Sequence, residues 1–174
     1  MRIDAGRLSI PREKTAAFTG RRLSKLPWTS DDDSRCVDFL NRLEAEIIRA
    51  YDDGKRYFIS GMASGVDSYA ARIVLKLRKS HTDMSLICVF PAGITCYSHR
   101  FFSRNCDIFI VLSETYCTGC MQRRNRYMVE HSSELIACYE GGDFGGTAQT
   151  VRMAAEAGIK VTVVPTVPCA RRDT

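Results

Sequence analysis

"EGGDFGGTAQTVRMAAEAG", residues 140–158, carries two glycine pairs, Gly141-Gly142 and Gly145-Gly146. The second pair opens directly into a helical pattern that runs to a stop at Gly158. Just before it stands "ELIACYE" (134–140), and just after it "IKVTVVP" (159–165). Both are short apolar runs of strand type. Strand, glycine-rich turn, helix and strand in this order form the repeating unit of a parallel sheet.

The same unit recurs upstream. "TAAFTG" (15–20), "RYFIS" (56–60), "MSLICVFPAG" (84–93) and "DIFIVLSE" (107–114) are the other apolar runs. Helical patterns separate them at 34–54, 66–79, 97–104 and 119–132. In the first, Val37, Leu40, Ile47, Ile48 and Tyr51 are expected to face inward. In the second, Val66, Ala70, Ile73, Val74 and Leu77 share a face; in the last helix Val151, Ala154 and Ala155 do. The strands are continuously apolar, as strands buried on both faces should be. The predicted fold is α/β: a Rossmann-like open parallel sheet of about six strands with helices on both faces. The 174 residues suit a single domain, with a core at about 15–164 and loosely tied ends before about Pro11 and after about Pro165.

Right-handed crossovers put every strand-to-helix turn on one edge of the sheet, where open α/β proteins bind ligands. Three of those turns are unusual. The first strand ends in "TGRR" (Gly20, Arg21, Arg22) and the second in "SGMASGVD" (Gly61, Ser64, Gly65, Asp67). The fifth ends in "EGGDFGGT" (Gly145, Gly146, Thr147). Glycine allows close backbone approach, and a helix start offers unpaired N–H groups with a partial positive charge. Together they predict an anion site of phosphate type. Thr147 has two roles open to it, capping the last helix or bonding the anion. Asp67 either favours its helix dipole or accepts from ribose hydroxyls. "GMASGVD" lacks the lysine of a Walker loop, and "TGRR" is too short for the dinucleotide fingerprint.

Other totals exclude more than they assign. The net charge of +5 is compatible with an anionic ligand and too weak to argue for DNA on its own. Single-strand binding wants a basic groove interleaved with aromatics, whereas these loops carry Asp31, Asp32, Asp33, Glu140 and Asp143. No apolar run approaches the roughly 18 residues of a membrane span, and the first residues lack the apolar core of a signal peptide. The expected location is the cytoplasm. Eight cysteines are therefore expected to be free thiols, with Cys88 and Cys138 in core strands. Cys117-x-x-Cys120 stands alone, without a second pair, so no metal site and no cofactor are expected. Trp28, in "KLPWTSDDD", is expected to anchor its loop rather than stack on a base.

"FTGRR", "SGMASGVD", "RRNRYMVEHSSELIACYEG" and "GGTAQTVRMA" together resemble the SLOG superfamily, most closely its YpsA-type branch, across about Thr15 to Val164. The resemblance implies a Rossmann-like domain that binds nucleotides or nucleotide-derived molecules, in some relatives as a sensor, and that self-associates as a homodimer. The related Lonely Guy phosphoribohydrolases carry a pattern like M-H-x-R-K-x-x-M on one helix. "MQRRNRYM" (121–128) keeps both methionines and Arg124 but has Gln122 and Asn125 for the histidine and lysine. Arg124 is thereby implied as a phosphate contact. The catalytic glutamate of those enzymes falls on Gln149 or Thr150, neither of which is a general base. The resemblance thus favours binding without catalysis and implies no catalytic residue. The alternative is nucleotide N-glycoside hydrolysis with Asp67 or Glu114 as a substitute carboxylate; the second alternative, after the relative DprA, is single-stranded DNA binding.

Overall fold

The computed structural model describes residues 1–93, 97–142 and 144–167. Cys96, Asp143, Cys169 and the Arg171-Arg172 pair lie outside them. The strands are β1 (Thr15–Gly20), β2 (Tyr57–Ser60), β3 (Ser85–Phe90), β4 (Ile108–Val111), β5 (Glu134–Cys138) and β6 (Lys160–Val163). The helices are α1 (Ser34–Asp52), α2 (Val66–Leu77), α3 (Tyr97–Asn105), α4 (Cys120–Glu130) and α5 (Gly146–Glu156). All six strands join one sheet in the order β4-β3-β2-β1-β5-β6, and every neighbouring pair is parallel. This is the Rossmann-like α/β fold. The chain walks outward from β1 to β4, then returns over the sheet to lay β5 on the other side of β1. The order therefore reverses between β1 and β5, which is where such sheets open a crevice.

Alternation along each strand builds two cores. Ala16, Phe18, Phe58, Leu86, Cys88 and Phe90 face one side and pack with α1 and α2. Ala17, Ile59, Ile87, Val89, Ile110 and Leu135 face the other and pack with Met128 and Val129 of α4 and Ala154 of α5. Trp28 is buried against Phe39, ring centroids 5.3 Å apart, so it anchors its loop. No helix among the described residues is long and apolar enough to cross a membrane.

Three expectations need correction. In α1 the buried line is Cys36, Phe39, Leu43, Ile47 and Ala50, while Val37 is 45% exposed. The apolar stripe of this helix is broad, and Leu40, Ile48 and Tyr51 pack only along its margin. The sheet selects the line that carries Phe39, Leu43 and Ile47 between Cys36 and Ala50. In α5 the buried residues are Ala148, Thr150 and Ala154; Val151 is half-buried and Ala155 exposed, one position off the line. The N-terminal segment is also tied down. The Ile3 amide donates to the Phe109 carbonyl (3.0 Å) and the Phe109 amide to the Met1 carbonyl (2.9 Å), on the open side of β4. The Tyr127 hydroxyl donates to Ala5 (2.9 Å), and Leu8 and Ile10 join the second core.

At the opposite end of the sheet from the crevice, Glu134 is buried with its carboxylate satisfied by three side chains from two elements, α1 and β6. Arg49 of α1 donates to it, Lys160 lies 3.2 Å away, and the Thr162 hydroxyl donates at 2.9 Å. This charge cluster fastens the end of α1 to β5 and β6.

The buried line of α1 is testable by paired truncations. Phe39→Ala should cost about 3–5 kcal/mol of unfolding free energy, and Val37→Ala no more than about 0.5 kcal/mol. Urea denaturation of the two variants measures both.

Candidate functional site

A cleft of about 250 Å³ opens at the C-terminal ends of β1 and β5. Gly20, Arg21, Arg22, Asp67, Arg124, Gly145, Gly146 and Thr147 all line it, so the loops after β1, β2 and β5 and the helix α4 converge there. Gly61, Ser64 and Gly65 do not. Lys25, Ala63, Met121, Tyr139, Gly141 and Phe144 also line the cleft and were not anticipated. Lys25 follows Arg21-Arg22 by one helical turn, Leu23–Lys25, which is the signal that was there to find.

The glycines divide into two kinds. A Cβ on Gly20 would meet the Val66 side chain at 2.5 Å. One on Gly61 would strike the Arg124 guanidinium, and one on Gly65 would lie 2.5 Å from the Arg21 carbonyl oxygen. Gly65 also needs its φ of +104°. These three positions are bare because protein, not ligand, fills the space. The turn after β1 and the turn after β2 lie against each other: the Leu23 amide donates to Ser64 (3.1 Å), and the Val66 amide to Arg21 (3.2 Å). The expected anion site at the start of α2 is therefore corrected. Its first amide is already satisfied by the neighbouring loop.

The start of α5 differs. Gly145, at φ +100°, precedes it, no side chain caps it, and a Cβ on Gly145 or Gly146 would meet nothing within 4 Å. The first amides of a helix have no partner in the helix itself, and here they open on the cleft. Thr147 is the second helical residue and does not cap, contrary to the first of its two expected roles. Arg22 and Lys25 are exposed on the facing wall. Arg21 is instead ion-paired with Glu140, linking the loops after β1 and β5.

Arg124 and Asp67 form a buried pair. Arg124 Nη1 donates to the Gly61 carbonyl and lies 3.2 Å from Asp67 Oδ2, which also accepts the Ala63 amide at 3.2 Å. Both side chains are only 7% exposed. Burial pushes the Asp67 carboxyl up, opposed by the Arg124 charge and the Ala63 amide. Burial likewise lowers Arg124, with Asp67 opposing and the Arg22 charge adding to the effect. Asp67 stands in the first turn of α2, as the first of its two expected roles requires, and from there it orients Arg124. Arg124 Nε is buried without a hydrogen-bond partner.

A second hollow adjoins the first and adds Gln122, Gln149 and Arg152 to the lining. Thr150 is buried, donating to the Gly146 carbonyl (2.8 Å) and accepting from Asn125 (2.7 Å), which fixes α5 against α4. Glu114 does not line either hollow. Cys36, Cys88, Cys106, Cys117, Cys120 and Cys138 are free thiols.

The family model for YpsA, "YspA SLOG family", matches residues 16–161. The chain belongs to the YpsA-type SLOG family. No curated protein matches it. Among solved structures, S. aureus TarJ in complex with NADPH aligns with this SLOG chain at 15% identity and a TM-score of 0.46. The alignment covers 82% of this chain and 48% of that one, so the chain spans about half the length of TarJ.

Removing the carboxylate of Asp67 would leave Arg124 buried without its counter-charge. Asp67→Ala should therefore lose about 3–5 kcal/mol of stability in urea, and pairing it with Arg124→Met should recover part of that loss.

His99 gives a pH test. It bonds the Met62 carbonyl (3.2 Å) in the turn after β2, a turn held at Met62 by a φ of +59°. Burial, with help from the Arg124 charge and against the Met62 bond, lowers the imidazole below its usual 6.5. The unfolded chain then binds the proton more readily, so this contribution is complete above pH 6.5 and declines as pH falls through the folded value. Thermal unfolding from pH 7.5 to 5 should show that decline, flattened in His99→Gln.

Proposed function

We propose that the protein binds a nucleotide or nucleotide-derived ligand by its phosphate in this cleft, as a sensor or regulatory protein without catalysis. The observation that carries this is the uncapped, sterically open start of α5 facing Arg22 and Lys25. Helix-start amides and nearby cations are complementary to phosphate oxygens. Arg124, held by Asp67 and Gly61, adds a fixed positive charge behind the site. Gln149 and Thr150 stand where a hydrolase of the related type needs its glutamate, which supports binding over turnover. The proposal extends to a cytoplasmic homodimer that does not bind nucleic acid.

Hydrolysis of a nucleotide N-glycosidic bond is the second reading. It is favoured by one observation: a carboxyl raised by burial, Asp67, reaches the cleft.

A thermal-shift series with AMP, ADP-ribose, NAD and cyclic nucleotides tests binding. A true ligand at a hundredfold its Kd should stabilise by about 2.7 kcal/mol. Gly146→Glu should abolish the shift without moving the unliganded transition, because its Cβ enters open space. Silence from every nucleotide at millimolar concentration would overturn the proposal. Chromatography after incubation with AMP separates the two readings: no free adenine is expected, and its release, lost in Asp67→Asn, would establish the hydrolase.

A further inference from the structure

Phe144 is the most exposed large hydrophobic side chain among the described residues, at 97%. A single exposed aromatic is ordinary on a protein surface; its placement here is not. It lines the same cleft as Gly145, Gly146, Arg22 and Lys25. It stands two residues before the first exposed helical amides of α5, a reach of at most about 7 Å of chain. A nucleotide spans a comparable gap with its ribose, phosphate at one end and base at the other.

The backbone around the ring is built for access. Gly142 and Gly145 flank it at φ +107° and +100°, and neither has a neighbour within 4 Å of a Cβ position. At 97% exposure the ring stands clear of the body of the protein while lining the mouth of the cleft. The other aromatic groups of the lining are Phe18, which is fully buried, and Tyr139 at the end of β5. The phosphate end of the cleft is polar and cationic, so an apolar face at its rim has no use for a bare sugar phosphate. It fits a ligand with a flat aromatic group, which would remove the ring from water.

We propose that Phe144 is the stacking platform for the base of the bound nucleotide, and that it makes the site prefer nucleobase-bearing phosphates over sugar phosphates. This rests on the nucleotide-binding reading above and adds the selectivity. Every base has a stackable face, so the platform selects for a base more than for one particular base.

Calorimetric titration with the four ribonucleoside 5′-monophosphates and with ribose 5-phosphate tests it, on the native protein, Phe144→Ala and Phe144→Trp. The native protein should bind at least one monophosphate more than about tenfold tighter than ribose 5-phosphate. Phe144→Ala should weaken that nucleotide by about 5- to 150-fold and leave ribose 5-phosphate unchanged. Phe144→Trp should keep the affinity. Its indole fluorescence should be quenched by the nucleotide and not by ribose 5-phosphate; the one native tryptophan, Trp28, is buried away from the cleft. Equal binding of nucleotide and ribose 5-phosphate, unaffected by Phe144→Ala, would overturn the stacking role while leaving phosphate binding intact. Binding of none of the five probes by the native protein would overturn the stacking role, and silence from ADP-ribose, NAD and the cyclic nucleotides as well would overturn the nucleotide reading with it.

Discussion

The buried contact among Arg124, Asp67 and the Gly61 carbonyl is the constraint on which the cleft depends. Arg124 extends from α4 into the turn after β2, and Asp67 meets it from the first turn of α2. Two charges removed from water are costly unless their geometry and remaining hydrogen bonds are good. Here the Ala63 amide and the Gly61 carbonyl take part of that duty. The contact is possible only because Gly61 has no side chain. It holds the turn after β2 shut against α4 and leaves the opening of the sheet between β1 and β5.

That arrangement explains why glycine-rich turns of similar composition do different work. The turns after β1 and β2 close on each other, with Gly20 and Gly65 allowing backbone and side chain to meet. Their N–H groups serve the protein. In the turn after β5, Gly145 and Gly146 have nothing within 4 Å of a Cβ position, although Arg21 reaches Glu140 at its start. The first amides of α5 open on the cleft. Among the three glycine turns the open helix start is that of α5, with Arg22 and Lys25 of the loop after β1 lining the same cleft.

Much of the fold was legible in the residues. Continuous apolar runs separated by helical patterns fix a parallel sheet covered on both faces, and the six runs became the six strands. The inward faces were less legible. In α1 an apolar stripe wider than its contact line leaves several registers open, and packing against the sheet chose Phe39 and Leu43 over Val37. The same held for Ala155 of α5, which periodicity alone placed inward. Lys25 was missed as a cleft residue because it lies outside the glycine motifs, and Phe144 because the signal of its motif is carried by the glycines; only the folding of two distant loops toward each other brings them to one opening.

The sequence by itself determined the strand and helix order, the edge on which the glycine turns gather and the family to which the chain belongs. These follow from local periodicity and from short motifs, which act over a few residues. Only the tertiary structure decided which glycines face protein and which face open space, that Asp67 is bound to Arg124, and that Glu134 joins α1 to the far strands. Each of these depends on the distance between segments far apart in the chain. That distance is set by how whole layers pack, and no local pattern encodes it.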